Sequence, residues 1–280
     1  MSKFARELEA AAAAAREAGA VILGYYARGA IAVESKVDAS PVTAADRDAN
    51  RVIVDRLRAA FPDDAVLSEE LPDDGTRHDK QRVWIVDPLD GTRDFIARTD
   101  QFCVHIGLAV DGIPVVGVVF QPTAGALYSA AAGQGAFVET DAGRTPLRVA
   151  AHIPPDGLRV GITRTAPTGP LRTFLAETGL GARAVAMGAS VKVMALARGD
   201  LDAVVNLRPD EQDWDTCAPE AILREAGGSY TDTAGAPFIY NGADITHRRG
   251  SVAASAAAHR ELLRLVAPYV VSEPEGRGQP

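Results

Sequence analysis

The sequence predicts an α+β fold with two halves, in which helices and strands form separate layers. Apolar residues recur at helical spacing in residues 3–27 and again in residues 45–61. From residue 65 the pattern changes to short β-rich runs separated by Gly, Pro or Asp. From about residue 158, strand-like and helix-like segments are mixed. These observations predict two helices, then a sheet, then a second set of α and β layers.

Two amphipathic helices are predicted at the start of the chain. The first covers residues 3–27, where the apolar side chains share one face and Gly29 follows the last turn. The second covers residues 45–61 for the same reason, and Pro62 ends it because proline cannot continue a helix.

The β-rich runs that follow have spacings typical of a meander of mostly antiparallel strands. They are residues 66–67, 83–86, 103–110, 115–120 and 126–130. The mixed segments of the second half are residues 160–162, 171–177, 190–197, 203–205, 216–225 and 229–231.

A boundary between the halves is predicted near residue 150. The segment 139–155 is rich in Gly, Pro and polar residues, which favour a linker. We therefore expect an N-terminal half over 1–150 and a C-terminal half over 151–271, and the polar end 272–280 is predicted to be disordered.

Composition excludes several classes of function. The net charge is −8, whereas binders of nucleic acid polymers or anionic membranes need a surplus of Lys and Arg. Cys103 and Cys217 are far apart, so neither a disulfide framework nor a structural zinc site is indicated. Charged residues interrupt the Ala-rich start, which argues against a secretory or membrane-spanning segment. We predict a cytoplasmic protein with no integral membrane association.

Asp87 and Asp90 are the first candidates for chemistry. Asp87 follows the apolar run 83–86, where a buried carboxylate is costly unless it is paired or liganded, and Pro88 is expected to end the strand. Gly91 after Asp90 permits a tight turn whose amides can face an anion. An ordinary turn is the alternative, because Asp, Pro and Gly dominate turns.

Three more acidic residues lie at similar positions, although each also has a plain structural explanation. Glu69 follows the short strand 66–67 but could be solvated. Asp46 lies in the first turn of a predicted helix, where the helix dipole favours an acid. Asp215 precedes another predicted helix and could be its N-cap. The occurrence of all four segments in one chain favours a metal site.

The order of these segments resembles the inositol monophosphatase superfamily of lithium-sensitive phosphatases. The matching segments are Ser40-Pro41-Val42-Thr43 with Asp46, Leu67-Ser68-Glu69-Glu70, Trp84 through Thr92, and Trp214-Asp215. The resemblance implies a layered αβαβα sandwich of the sugar-phosphatase type. It also implies a homodimer, which is common in the superfamily.

The resemblance assigns a role to each candidate residue and implies two or three Mg²⁺ ions. Oxygen ligands without His or Cys at ligand spacing also favour Mg²⁺ over Zn²⁺. The N-terminal half supplies most of the ligands, and the C-terminal half supplies Asp215. The implied metal ligands are Glu69, Asp87, the Leu89 carbonyl, Asp90 and Asp215; the implied catalytic residues are Asp46, Glu69 and Thr92. The implied substrate contacts are Asp90, Gly91, Thr92, Ser190, Lys192, Arg208 and Asp215.

Residues 188–192 and 214–223 resemble the adenosine 3',5'-bisphosphate nucleotidase and inositol polyphosphate 1-phosphatase branches more than simple inositol monophosphatases. Residues 90–96 resemble the bacterial 3'(2'),5'-bisphosphate nucleotidases of sulfate assimilation. Lys192 and Arg208 would suit a second phosphate, although either could be an ordinary surface residue. The expected reaction is hydrolysis of adenosine 3',5'-bisphosphate, a small phosphorylated substrate, to AMP and phosphate. An inositol monophosphatase or a fructose-1,6-bisphosphatase-type sugar phosphatase is the alternative. A catalytically silent phosphatase-like subunit would have lost a metal ligand, and none is lost. No histidine is assigned chemistry, and His105 is expected to be a core residue.

Overall fold

Two long helices precede the first sheet. The computed structural model of the protein describes residues 3–29, 33–35, 41–152, 157–164 and 167–270. The helices are α1 (Ala5–Arg28) and α2 (Ala44–Ala60), which confirm both predicted helices to within two residues at each end. Strands β1 (Val33–Ser35) and β2 (Pro41–Thr43) form a short antiparallel pair before α2. Ser40 and the predicted disordered end 272–280 lie outside the described residues.

The first sheet is a seven-stranded meander in chain order. Its strands are β3 (Ala65–Ser68), β4 (Arg82–Asp90), β5 (Cys103–Val110), β6 (Ile113–Gln121), β7 (Ala126–Ala131), β8 (Ala136–Thr140) and β9 (Gly143–Pro146). A short helix, α3 (Thr92–Ile96), connects β4 to β5. Only β3 and β4 are parallel, which confirms the mostly antiparallel meander. Residues 139–140 and 143–146 lie in β8 and β9 of this sheet, although the sequence predicts a linker over 139–155. The boundary near residue 150 stays a prediction.

The second sheet has five strands in the order β11, β10, β12, β16 and β14. The strands of this half are β10 (Val160–Thr163), β11 (Ala184–Met187), β12 (Ala203–Asn206), β13 (Glu211–Gln212), β14 (Gly228–Asp232), β15 (Thr246–His247) and β16 (Ser251–Ser255), and β13 pairs with β15 alone. The helices are α4 (Gly169–Glu177), α5 (Val191–Ala197), α6 (Asp213–Glu225) and α7 (Ala256–Val266). Within the described residues, no helix combines the length and apolar character that a membrane span requires.

Three apolar cores hold the layers together. The first lies between the α1–α2 pair and one face of the first sheet, and includes Trp84 and Phe102. The second fills the space between the two sheets, where α5 and α6 lie. The third joins the second sheet to α4 and α7. The order is therefore helix, sheet, helix, sheet, helix, which confirms the predicted αβαβα sandwich.

A pair of glycines allows α6 to lie close to the first sheet. Gly107 and Gly117 are directly opposite each other on β5 and β6. A Cβ atom on Gly107 would lie 2.6 Å from the Cys217 sulfur, and one on Gly117 would overlap the Ala218 carbonyl oxygen. Both contacts are too short for a real Cβ, so the absence of side chains here sets the distance of α6 from the sheet.

We predict that Gly117→Ala lowers the free energy of unfolding by about 1–3 kcal/mol, because the added methyl group overpacks the α6 interface. Chemical denaturation measures this difference. Gly24→Ala is the matched control, since its Cβ would meet only the end of Arg28 at 3.8 Å within α1. That variant is expected to be neutral or slightly stabilising. Equal stability of the Gly117 variant and the wild type would contradict the packing argument.

Candidate metal centre

A β-bulge in β4 brings two aspartates to the same face of the first sheet. Asp87 pairs with His105 and Asp90 pairs with Cys103, so three steps along β4 match two steps along β5. Side chains alternate along a strand, and three regular steps would place the aspartates on opposite faces. Because of the extra residue in the bulge, the side chains of Asp87 and Asp90 both point toward the core between the sheets, where Cys103 packs. The expectation that Pro88 ends the strand is wrong, because the bulge accommodates it.

Asp215 approaches the same face from the first turn of α6. The helix begins at Asp213, whereas the sequence predicts it from residue 216, and Pro219 lies in its second turn. Asp215 Oδ2 accepts a hydrogen bond of 2.7 Å from the Gln212 amide, which fixes the side chain at the helix start. Three carboxylates, those of Asp87, Asp90 and Asp215, then lie within 4.8 Å of one another.

Burial and mutual repulsion control the charges of this cluster. Burial, followed by the charge of neighbouring carboxylates, raises the pKa of Asp87 and of Asp215 well above the ordinary value. Burial also acts to raise the pKa of Asp90, but His105, Lys192 and a backbone amide outweigh it and lower the pKa to about 2. Negative charge here is unfavourable without a cation, and acidic oxygen donors at this spacing fit a hard divalent metal ion.

Glu69 is electrostatically part of the same site. It directly follows β3, and its amide donates to the Val86 carbonyl at 3.1 Å, one residue before Asp87. Its charge helps to raise the pKa of both Asp87 and Asp215. The structure thus places the four predicted acidic ligands around one point, where two strand ends and one helix start meet.

Asp46 and Thr92 form a second hydrogen-bonded unit beside the cluster. Asp46 Oδ2 accepts from the Thr43 amide at 2.7 Å and from the Thr43 hydroxyl at 2.5 Å, at the start of α2. Thr92 Oγ1 lies 3.0 Å from Asp46 Oδ1 and 3.2 Å from the Leu89 carbonyl oxygen. Burial raises the pKa of Asp46 despite these hydrogen bonds, and the charge of Glu69 adds to the rise. A carboxylate with a raised pKa is a better base than an exposed one.

The loop before α5 closes one side of the site. The Ser190 amide donates to Asp90 Oδ2 at 2.6 Å, and the Lys192 ammonium donates to the Ala189 carbonyl at 2.5 Å. Gly91 has a φ of 89°, and a Cβ there would lie 2.9 Å from the Ala189 Cβ. Only glycine fits at this contact between the two loops.

A cavity of about 240 Å³ extends from Asp90 and Asp215 to Lys192 and Arg208. Arg208 is ion-paired with Asp210 at its rim. The sequence reasoning missed other residues that line it, because they are scattered over β10, β12, β13 and β14 and form no motif. They are Thr163, Asn206, Glu211 and Tyr230.

His105 is a further residue that the sequence reasoning left without a role in the site. It is 0% exposed, as expected for a core residue, but its Nε2 lies 3.1 Å from Asp90 Oδ2. Its Nδ1 lies 3.3 Å from the Trp214 carbonyl oxygen. The β5 run carried no signal for this contact, because the contact depends on the bulge in β4.

Comparison with known proteins identifies the class. A model of the inositol monophosphatase family matches residues 5–274, and the layered fold agrees with solved members. The chain therefore belongs to the inositol monophosphatase family and is a phosphatase.

Individual relatives have different activities. The 3'(2'),5'-bisphosphate nucleotidase CysQ of Escherichia coli K12 is 39% identical over 228 residues, which cover 81% of this chain and 90% of that protein. A histidinol-phosphatase of Chlorobaculum parvum is 32% identical over 268 residues, covering 93% and 96%. The crystal structure of CysQ from Bacteroides thetaiotaomicron superposes with a TM-score of 0.75 and 30% identity, covering 89% of this chain and 97% of that one.

We predict that Asp215→Asn becomes more stable relative to wild type as the pH rises, when no metal is present. The folded-state pKa of Asp215 is raised, so the folded protein holds a proton that the unfolded chain releases near pH 4. Ionisation above that pH therefore costs the wild type stability that the variant keeps.

Thermal unfolding in EDTA from about pH 4 to 8 measures this difference. A divalent metal ion should stabilise the wild type more than the variant, which lacks one carboxylate of the cluster. Asp210→Asn, at the exposed ion pair with Arg208, is the matched control and should show neither effect. A difference between Asp215→Asn and wild type that does not change with pH would contradict the electrostatic argument.

Proposed function

We propose that the chain is a Mg²⁺-dependent phosphomonoester hydrolase and, more narrowly, a 3'(2'),5'-bisphosphate nucleotidase that converts adenosine 3',5'-bisphosphate to AMP and phosphate. The observation that carries the narrower proposal is Lys192, a cation in the cavity that Asp90 and Asp215 also line. A bisphosphate needs such a charge beyond the metal centre, whereas a monophosphate does not. The bisphosphate nucleotidase activity of the E. coli relative supports this proposal.

Five oxygen donors would hold the metal. They are the carboxylates of Glu69, Asp87, Asp90 and Asp215 and the carbonyl of Leu89. Bound Mg²⁺ would supply charge that neutralises the phosphate and the leaving oxygen and lowers the pKa of a nearby water molecule. Supporting this choice of ion, the cluster within 4.8 Å consists of carboxylates alone, which suit a hard cation rather than zinc.

Thr92 and Asp46 would accept the proton of the attacking water. Thr92 Oγ1 can pass its own hydrogen to Asp46 Oδ1, 3.0 Å away, as it takes one from the water. Thr43 holds the other oxygen of Asp46, so the receiving oxygen is already oriented. The raised pKa of Asp46 favours this transfer.

Lys192 and Arg208 would bind the second phosphate. Ser190 and the turn at Gly91 and Thr92 would contact the phosphate that reacts. Lys192 lies in the first turn of α5 and lines the cavity. Its charge helps to lower the pKa of Asp90, so the ammonium lies near the metal cluster. Arg208 is half-exposed and paired with Asp210. A phosphate at the rim would compete with Asp210 for the guanidinium.

A polyol phosphate is the second candidate substrate, and Glu211 favours it. Its Oε2 is buried in the cavity lining and has no hydrogen-bond partner within the described part of the chain. A hydroxyl group is a natural donor to such an oxygen, and an unsatisfied buried acceptor costs about 1–3 kcal/mol. An inositol phosphate or a sugar bisphosphate offers several hydroxyls.

The substrate is a small phosphorylated molecule under either candidate. The homodimer and the cytoplasmic location stay predictions.

We expect phosphate release from adenosine 3',5'-bisphosphate to exceed that from inositol 1-phosphate, fructose 1,6-bisphosphate and histidinol phosphate. Comparison of kcat/KM for the four substrates with Mg²⁺, with EDTA and with added lithium measures this. Asp90→Asn should abolish release from all four without unfolding the protein. Faster release from a polyol phosphate would replace the nucleotidase proposal by the second candidate. If none of the four substrates shows Mg²⁺-dependent phosphate release, the whole proposal is contradicted.

We predict that Lys192→Gln lowers kcat/KM for the nucleotide bisphosphate by about 10–100-fold, the effect of one charged hydrogen bond. Gln can still donate to the Ala189 carbonyl, so the loop is retained. Release from inositol 1-phosphate should be nearly unchanged, and Lys192→Arg, which keeps the charge, should retain much of the bisphosphate activity. An equal loss on both substrates would show that Lys192 does not select a second phosphate.

A further inference from the structure

His105 connects the two structural elements that carry the metal cluster. Asp90 belongs to β4 of the first sheet, whereas Asp215 belongs to α6, which is far along the chain. The His105 ring lies between them on β5, with Nε2 3.1 Å from Asp90 Oδ2 and Nδ1 3.3 Å from the carbonyl oxygen of Trp214. Trp214 directly precedes Asp215. The ring therefore contacts one metal ligand, Asp90, directly and the residue before the other ligand, Asp215.

The surroundings leave the ring little freedom. His105 is 0% exposed and sits directly opposite Asp87 in the β4–β5 pair. The carboxylate and the carbonyl are both acceptors, so the two ring nitrogens donate together only when the imidazole carries a hydrogen on each of them. The neighbouring glycine, Gly107, allows α6 to approach closely enough for the Trp214 contact. The sheet, the ring and the helix therefore form one rigid connection.

Asp90 is held on two sides by this arrangement. Its Oδ2 accepts a hydrogen bond from the Ser190 amide at 2.6 Å, and His105 Nε2 lies 3.1 Å from the same oxygen as a charge contact without hydrogen-bond geometry. Groups that orient a metal ligand by hydrogen bonds commonly affect metal affinity as strongly as a weak ligand does. Loss of one such contact lets the carboxylate rotate away from the geometry that Mg²⁺ requires, since this ion tolerates little distortion.

We propose that His105 is a positioning residue that sets Mg²⁺ affinity by holding Asp90 and the Trp214–Asp215 turn at a fixed separation. The proposal rests on the Mg²⁺ dependence proposed above, and it assigns His105 no contact with substrate. It predicts that the contact with Asp90 and the contact with Trp214 contribute separately to Mg²⁺ affinity, because different ring nitrogens make them.

Two substitutions separate the contributions of the two ring contacts. His105→Asn retains a donor near the position of Nδ1 and removes the contact with Asp90. His105→Gln retains a donor near the position of Nε2 and removes the contact with Trp214. Ile106→Ala is the matched control, since Ile106 is the next residue on β5 and packs in the opposite core, against α1 and α2. It destabilises the fold without touching the cluster.

Binding of Mg²⁺ to the metal-free protein is measured by calorimetry and by intrinsic fluorescence, which comes from Trp84 and Trp214. The Mg²⁺ dependence of phosphate release is measured in parallel. We expect the dissociation constant of Mg²⁺ to rise about 10–100-fold in His105→Asn. A smaller rise is expected in His105→Gln, with substrate KM at saturating Mg²⁺ unchanged in both. Ile106→Ala should lower the melting temperature and leave the dissociation constant within about twofold of wild type.

The outcomes distinguish the two proposals. If wild type binds no Mg²⁺, both the proposed function and this inference are overturned. If wild type binds Mg²⁺ and both His105 variants bind it equally well, only the inference fails. Should Ile106→Ala weaken Mg²⁺ binding as much as His105→Asn does, His105 would act through general stability and the inference would also fail. A selective rise in the His105 variants supports it.

Discussion

The proximity of three carboxylates, one buried and two partly buried, within 4.8 Å of one another is the constraint on which the rest of the site depends. Their mutual repulsion is unfavourable without a cation, as the raised pKa values of Asp87 and Asp215 indicate. The fold imposes this proximity through the bulge in β4 and through the glycine pair that allows α6 to approach. This repulsion lowers the free energy of unfolding of the metal-free protein, and binding of a cation would raise it again.

Asp46 and Asp215 show that a structural role and a chemical role need not exclude each other. Each lies at the third position of its helix and accepts a hydrogen bond from the backbone at the helix start, as a capping acid does. A carboxylate has two oxygens, and in Asp46 the second faces Thr92. The capping bond orients the side chain, so the explanation that seemed to compete with catalysis supplies its geometry.

Much of the fold could be predicted because the helices and the β5 run have strong local patterns. The first two helices and residues 103–110 were placed to within two residues. Strands β8 and β9 are not predicted. The polar strand β9 is a strand because it pairs with β8 and not because of its own composition. The start of α6 was placed too late because Gln212, a weak capping residue by propensity, caps it.

By itself, the sequence determined the family, the layered fold and the set of acidic residues, because strand ends, helix starts and their carboxylates are encoded locally. Only the tertiary structure decided that Asp87 and Asp90 share a face, since a bulge is defined by pairing with β5 and not by the β4 sequence. It also decided that His105 reaches Asp90 and Trp214, and which residues of the second half surround the cavity. These contacts join residues far apart in the chain, and no local pattern records them.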